Sequence, residues 1–126
     1  MEGKLLEIQS GAFAEIGNAV AAELPKGWSK VWLQVEMAPS SGSVAAFYVA
    51  PDTPKPSYVD LSFNIYTLFA KFYAATRNAD PSGAWSTMTY ILESDGKLHV
   101  DYGYEPVSPA GRFERRLAWE AKYLPS

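Results

Sequence analysis

The single histidine of this chain, His99, stands two residues before Asp101 and six before Glu105 in the run Leu98-His99-Val100-Asp101-Tyr102-Gly103-Tyr104-Glu105. Residues two apart in an extended strand project from one face, so Asp101 could orient the imidazole as a carboxylate orients the base of a serine hydrolase. A hydrolase would also need a nucleophile, and no serine lies in a strained elbow sequence to supply one. The competing reading is a solvent-facing strand histidine opposite Ile91. Asp101 and Glu105 are the best carboxylate pair, but four residues of strand separate their α-carbons by ~13 Å, against the roughly 5 to 9.5 Å between paired glycosidase carboxyl groups. A metal site would need His99 and Asp101 together with Glu36 or Glu105, a spacing that matches no zinc or calcium pattern. There is no cysteine, and Ser40-Ser41-Gly42-Ser43 lacks the glycines and lysine of a phosphate loop. The sequence therefore predicts no catalytic residue, no metal and no cofactor.

What remains for His99, Asp101 and Glu105 is contact with a partner, and that depends on the strand that carries them. Leu98, Val100, Tyr102 and Tyr104 alternate with Lys97, His99, Asp101, Gly103 and Glu105, the pattern of a half-buried strand. It returns from Trp85-Ser86-Thr87-Met88-Thr89-Tyr90-Ile91-Leu92-Glu93 through Ser94-Asp95-Gly96. A two-residue loop would set Leu92 against His99 and Tyr90 against Asp101, mixing the faces. A three-residue loop sets Leu92 against Leu98, Tyr90 against Val100, Met88 against Tyr102 and Glu93 against Lys97, with Gly96 in the left-handed conformation such a loop needs.

Around that hairpin the chain reads in order as follows. From Glu2 to Leu24, Leu5, Ile8, Ala12, Phe13, Ile16, Val20 and Leu24 form one helical stripe, with Glu7, Glu15 and Glu23 off it and Pro25-Lys26-Gly27 as the stop. Lys30 to Met37 is a strand, with Val31, Leu33, Val35 and Met37 on one face and Trp32, Gln34 and Glu36 on the other. Val44 to Val49 returns antiparallel after the turn at Ala38-Pro39-Ser40-Ser41-Gly42. Pro51, Pro54 and Pro56 restrict the next segment to a loop or a brief edge pairing around Ser57-Tyr58-Val59. A second helix begins near Asp60, capped by Asp60 or Ser62, with Leu61, Ile65, Leu68, Phe69, Phe72 and Thr76 inward. After the hairpin, Ser108 and Pro109 open a third helix with Phe113, Leu117, Ala121 and Leu124 on its apolar stripe.

This order, α-β-β-(β)-α-β-β-α, predicts one α+β domain over residues 1–126: an antiparallel sheet of four to five strands packed by three helices. The helices are expected to cover one face. The other face would then display Trp32, Gln34, Glu36, Thr87, Thr89, Ile91, His99, Asp101 and Glu105.

Composition narrows the function. At 126 residues and 48% hydrophobic the chain suits one core. Its longest apolar run, Val44 to Ala50, is far short of the ~20 residues that span a bilayer, and an acidic N-terminus is unlike a signal peptide. A cytoplasmic protein without a membrane partner is expected. The net charge is −3, with seven acids against four bases in residues 1–63 and seven of each thereafter. That balance argues against direct nucleic-acid binding and suits a basic protein partner. On the third helix Arg116 and Glu120 are placed to pair, and Arg115 can lie over the Trp119 indole, one turn before Tyr123.

The hairpin run Gly96 to Glu105, the preceding Trp85-Ser86-Thr87-Met88-Thr89-Tyr90, and the closing Arg115, Trp119 and Lys122-Tyr123-Leu124 together resemble the YezG-like immunity protein family. Trp28, Val31, Leu33 and the central helix extend the resemblance over most of the chain. It implies an antitoxin without enzymatic activity, whose partner is a cognate secreted toxin domain, several such toxins being nucleases. Relatives carry a denser acidic run at the end of the second hairpin, where this chain has Gly103 and Pro106. The Glu-rich face of the first helix is accordingly a second place for the contact. An exposed aromatic flanked by carboxylates makes an anchor with a polar rim, so Trp32, Glu36, Asp101, Tyr104 and Glu105 are the predicted partner-binding residues. The alternatives are a non-catalytic module binding a ligand or another protein, and a small hydrolase using His99 and Asp101. An open sheet edge leaves monomer and homodimer both available.

Overall fold

The structure, a computed structural model, describes residues 2–125, with side chains described from Ile8 to Pro125. Leu5 and Glu7, assigned above to the first helix's stripe and polar face, lie outside the described side chains. Helix α1 spans Glu2–Glu23, followed by β1 Lys30–Ala38, β2 Ser41–Ala50 and β3 Thr53–Val59. Helix α2, Phe63–Ala79, leads through one 3-10 turn at Pro81–Gly83 into β4 Thr87–Glu93 and β5 Leu98–Gly103, and α3 closes the chain at Arg112–Tyr123. The strands form one antiparallel sheet in the order β3-β2-β1-β4-β5, the α+β fold that the patterning predicts.

The β4–β5 hairpin has the three-residue loop. Leu92 faces Leu98, Tyr90 faces Val100 and Met88 faces Tyr102. Glu93 N–H donates to the Lys97 carbonyl at 2.9 Å, and Gly96 sits at φ +97, where a side chain is strained. The third strand is longer than expected. Its pairing with β2 runs from Val59 opposite Ala46 to Thr53 opposite Ala50, across a bulge between Tyr48 and Ala50. Pro54 and Pro56 permit this because residues two apart direct their nitrogens to the same side, and β3 is an edge with only one neighbour to satisfy.

One face of the sheet carries the main core. Val31, Leu33, Val35 and Met37 of β1, with Met88 and Tyr90 of β4, pack against Ile16, Val20 and Leu24 of α1 and Ile65, Phe69 and Phe72 of α2. The period-two alternation of the strands and the three-to-four spacing of the helices meet there, as their patterns require. Tyr90 is wholly buried and its hydroxyl donates to the Phe13 carbonyl at 3.0 Å, while burial pushes its pKa up to about 12. Ser62 precedes α2 but does not cap it with its own hydroxyl. Glu23, the last residue of α1, does so instead, accepting from Ser62 N at 2.6 Å and Ser62 Oγ at 2.5 Å and so tying the two helices end to end.

The helices do not share one face. Helix α3 lies across the opposite side, where Trp119 packs with Trp32, Ala45 and Phe47 in a second, smaller core. Its start also differs from expectation. The helix begins at Arg112 after Gly111 at φ +77, three residues beyond the anticipated Ser108-Pro109 cap. Among the described residues, no helix is long and apolar enough to cross a membrane.

Candidate functional site

The sheet face under α3 is unusual for a core because three registers across it are polar or mixed. Glu36 lies beside Thr87, Gln34 beside Thr89 and then Asp101, and Trp32 beside Ile91 and then His99. A helix can cover such a surface only by answering its polar atoms. Helix α3 does so with Arg112, Arg115, Trp119 and Tyr123, a row at three- and four-residue spacing.

Glu36 is completely buried. Arg115 Nε donates to its Oε2 at 2.7 Å and Arg115 Nη2 to its Oε1 at 2.8 Å, a bidentate pair, and Arg112 Nε adds a bond to Oε1 at 3.2 Å. Burial acts most strongly on Glu36 and raises its pKa, but the hydrogen bonds and charges of Arg115 and Arg112 together outweigh it, so the carboxyl is held below its ordinary range. The same bonds raise Arg115. The remaining Arg115 donors hold the helix's own approach, with Nη1 bonded to the Ala110 carbonyl at 2.9 Å and Nη2 to the Ser108 carbonyl at 2.5 Å. One guanidinium thus fixes both the strand below and the loop that enters α3.

Further along α3, Trp119 Nε1 donates to Thr89 Oγ1 at 2.8 Å, and the Tyr123 hydroxyl to Asp101 Oδ2 at 2.9 Å. Asp101 Oδ1 lies 3.1 Å from His99 Nε2. The Tyr123 bond is the main influence on Asp101 and, with His99, lowers its pKa against a smaller effect of burial. A cleft of about 340 Å³ remains between α3 and the β4–β5 side, lined in part by Gln34, Thr89, Asp101, Arg115 and Lys122.

These contacts revise the expected surface. Trp32 is 4% exposed, sealed beneath Trp119 with the Lys30 ammonium 5.0 Å from its ring centroid. Trp32 and Glu36 were expected on an open face; α3 covers both, because their polar strand parity matches the Arg-Trp-Tyr row rather than solvent. Asp101 remains half-buried at the margin of α3, and Tyr104 and Glu105 are exposed. Tyr104 does not stand beside Asp101. It borders a hollow with Gln9, Thr76, Trp85 and Tyr102, on the α1–α2 side, as its parity with Tyr102 requires. Among the described residues Arg116 and Glu120 form no ion pair, and Arg115 is drawn to Glu36 instead of lying over the indole. Of the α1 acids, Glu15 is exposed and Glu23 is engaged at Ser62.

The outward side of α3 is the other reversal. Phe113 and Leu117, expected in the core stripe, are 69% and 50% exposed. A helix with two apolar rows can bury either, and here the row with hydrogen-bonding ends matched the polar sheet. Arg112 and Tyr123 hold α3 to the sheet through Glu36 and Asp101, contacts that periodicity alone did not give. The signal available for them was one carboxylate, Glu36, in the middle of an apolar strand, in a chain whose late helix holds three arginines.

His99 projects from the edge strand with its side chain 63% exposed, and its contact is to Asp101. Among the described residues no group of three or more His, Asp or Glu side chains is placed to hold a metal ion. A second cleft, of about 570 Å³, opens between α1 and the hairpin and is lined in part by Gln9, Phe13, Trp28, Tyr90 and Leu98.

Comparison with known proteins bears on the whole of this arrangement. The family model described as immunity protein YezG-like matches residues 52–126, which run from β3 through α3 and include the Arg112, Arg115, Trp119 and Tyr123 row. The immunity protein YezG of Bacillus subtilis (strain 168) is 25% identical over 126 residues, spanning 86% of this chain and 83% of that protein.

Proposed function

Since the chain belongs to the YezG-like immunity protein family, we propose that it is an antitoxin that neutralises a cognate secreted bacterial toxin domain by binding it stoichiometrically in the cytoplasm. The observation that carries this reading is the family match across β3 to α3. A nuclease is the toxin class that the charge favours. The chain is acidic, at −3, and nucleases bind a polyanion through basic surfaces that carboxylates can occupy. Asp101, half-buried at the margin of α3, and the exposed Glu105 supply carboxylates, and Tyr104 supplies an exposed aromatic around the β5 exit. Trp32 and Glu36 act indirectly in this reading, by fixing the helix beside those groups.

The test is co-expression in a bacterial host of this chain with the product of the adjacent gene, once that product is shown to arrest growth on its own. Growth restored by the chain, and by no unrelated acidic protein of the same size, supports the reading. Growth arrest that persists with the chain present at equal abundance would sink it.

A further inference from the structure

The sheet has two edges, β3 and β5, and they differ in what they offer a further strand. Strand β3 contains Pro54 and Pro56, which have no N–H to donate. Strand β5 has no proline, and its pairing with β4 decides which of its backbone groups are free. Glu93 N–H donates to the Lys97 carbonyl and Ser86 N–H to the Gly103 carbonyl, so Lys97, His99, Asp101 and Gly103 turn their backbone groups toward β4. Those of Leu98, Val100 and Tyr102 point away from the sheet, and among the described residues they bond to no other segment. We infer that a second copy of this chain pairs with this edge, β5 against β5 and antiparallel, about a two-fold axis at Val100. The inference stands independently of the immunity reading.

The side chains select both occupant and register. With the axis at Val100, Leu98 meets Tyr102 of the second copy, which covers a leucine that is 40% exposed, and Val100 meets its equivalent. On the other face His99 meets Asp101 of the second copy, twice by symmetry, and Lys97 lies diagonal to the same carboxylate. His99 and Asp101 are already 3.1 Å apart within one chain, so the four side chains form one cluster of alternating imidazole and carboxylate around the axis. Moving the axis by one residue sets like against like, histidine on histidine at His99 or carboxylate on carboxylate at Asp101. At Leu98 it sets His99 against Lys97 and Asp101 against Asp95, and at Tyr102 it carries Leu98 beyond the strand to Pro106. Asp95 and Glu105 face each other only outside the strand ends in the Val100 register. A strand of a toxin domain could use the same backbone groups, but the order of basic groups before carboxylate in β5 is complementary to its own reversed copy.

Sedimentation velocity of the full chain, from low to high micromolar concentration, is the test, because so short a seam makes a weak dimer. A dimer should build up over that range. Val100→Pro removes the outward N–H at the axis and no bond to β4, and should abolish it. His99→Asp should weaken it roughly 10-fold, since two contacts reverse together, and His99→Asp with Asp101→His should restore most of the loss. Lys55→Glu on β3 should leave it unchanged. Should circular dichroism show Val100→Pro unfolded, the exposed His99→Asp and its swap decide. A chain that stays monomeric throughout, or a dimer of parental affinity in His99→Asp, would overturn the inference. A monomeric parent whose binding to a growth-arresting product of the adjacent gene is lost in His99→Asp would assign the edge to that product and overturn the proposed occupant.

Discussion

Arg115 and Glu36 meet through two parallel hydrogen bonds of 2.7 and 2.8 Å, although they lie 79 residues apart and on different layers of the molecule. A carboxylate in the central strand of a sheet would ordinarily be an error in the pattern. Here it is the point to which α3 is fastened, because no apolar helix could satisfy it and a bidentate guanidinium can.

Arg115→Ala should therefore destabilise the fold by about 2–3 kcal/mol, below the ~3–5 expected for a wholly unpaired buried charge because Arg112 remains to share Glu36. Urea unfolding at neutral pH measures it. A loss under about 0.5 kcal/mol, the range of ordinary surface substitutions, would mean that Glu36 finds water or another partner.

Acid should loosen α3. Glu36 and Asp101 are both held below their ordinary values of 4.5 and 3.8 in the folded protein. A depressed carboxylate contributes stability that is complete above its unfolded pKa and is lost as pH falls through the folded one. Urea midpoints should thus be insensitive to these two groups above about pH 5.5 and decline below about pH 4.5. In Glu36→Gln the decline should be shallower, and an identical slope would remove Glu36 from the account.

Trp119 tests the second core. Trp119→Ala should cost about 3 kcal/mol, since the ring fills the space between Trp32 and Phe47. Thr89→Val should cost about 1–2 kcal/mol by stranding the indole N–H. Near-ultraviolet circular dichroism should change in the alanine variant and be retained in the valine variant, and equal costs for the two would contradict the packing described.

Gly96 tests the hairpin register. At φ +97 an alanine is strained, so Gly96→Ala should cost about 1–2 kcal/mol and Gly96→Asn less. Equal stability for alanine and glycine would mean that the loop is not the three-residue form.

The sequence carried the register of β4 and β5 fully, because slipping by one residue would have exchanged every apolar side chain of Leu98, Val100 and Tyr102 for a polar one. Four of the five strands and the three helices were legible for the same reason of period, whereas β3, expected as a loop or a brief edge pairing around Ser57-Tyr58-Val59, runs over Thr53–Val59. The side of the sheet on which α3 lies was not. Phe113, Leu117 and Ala121 make the stronger apolar stripe in one dimension, and only the polar registers of Glu36 with Thr87 and Gln34 with Thr89, brought together by strand order, favour the Arg-Trp-Tyr row. The contact residues inherited that error. Trp32 and Glu36 were legible as an odd pair on their strand, but their cover came from a helix some 80 residues later. Asp101 was placed on its face correctly, while Tyr104 followed Tyr102 to the other side.

Stoichiometric inhibition is tested most directly by titrating the purified chain into a growth-arresting product of the adjacent gene, with heat and toxin activity followed together. The account predicts saturation at one chain per toxin domain, with activity falling in proportion and reaching zero at equivalence. Binding without loss of activity, or loss of activity by a small fraction of an equivalent as a catalyst would produce, would contradict it.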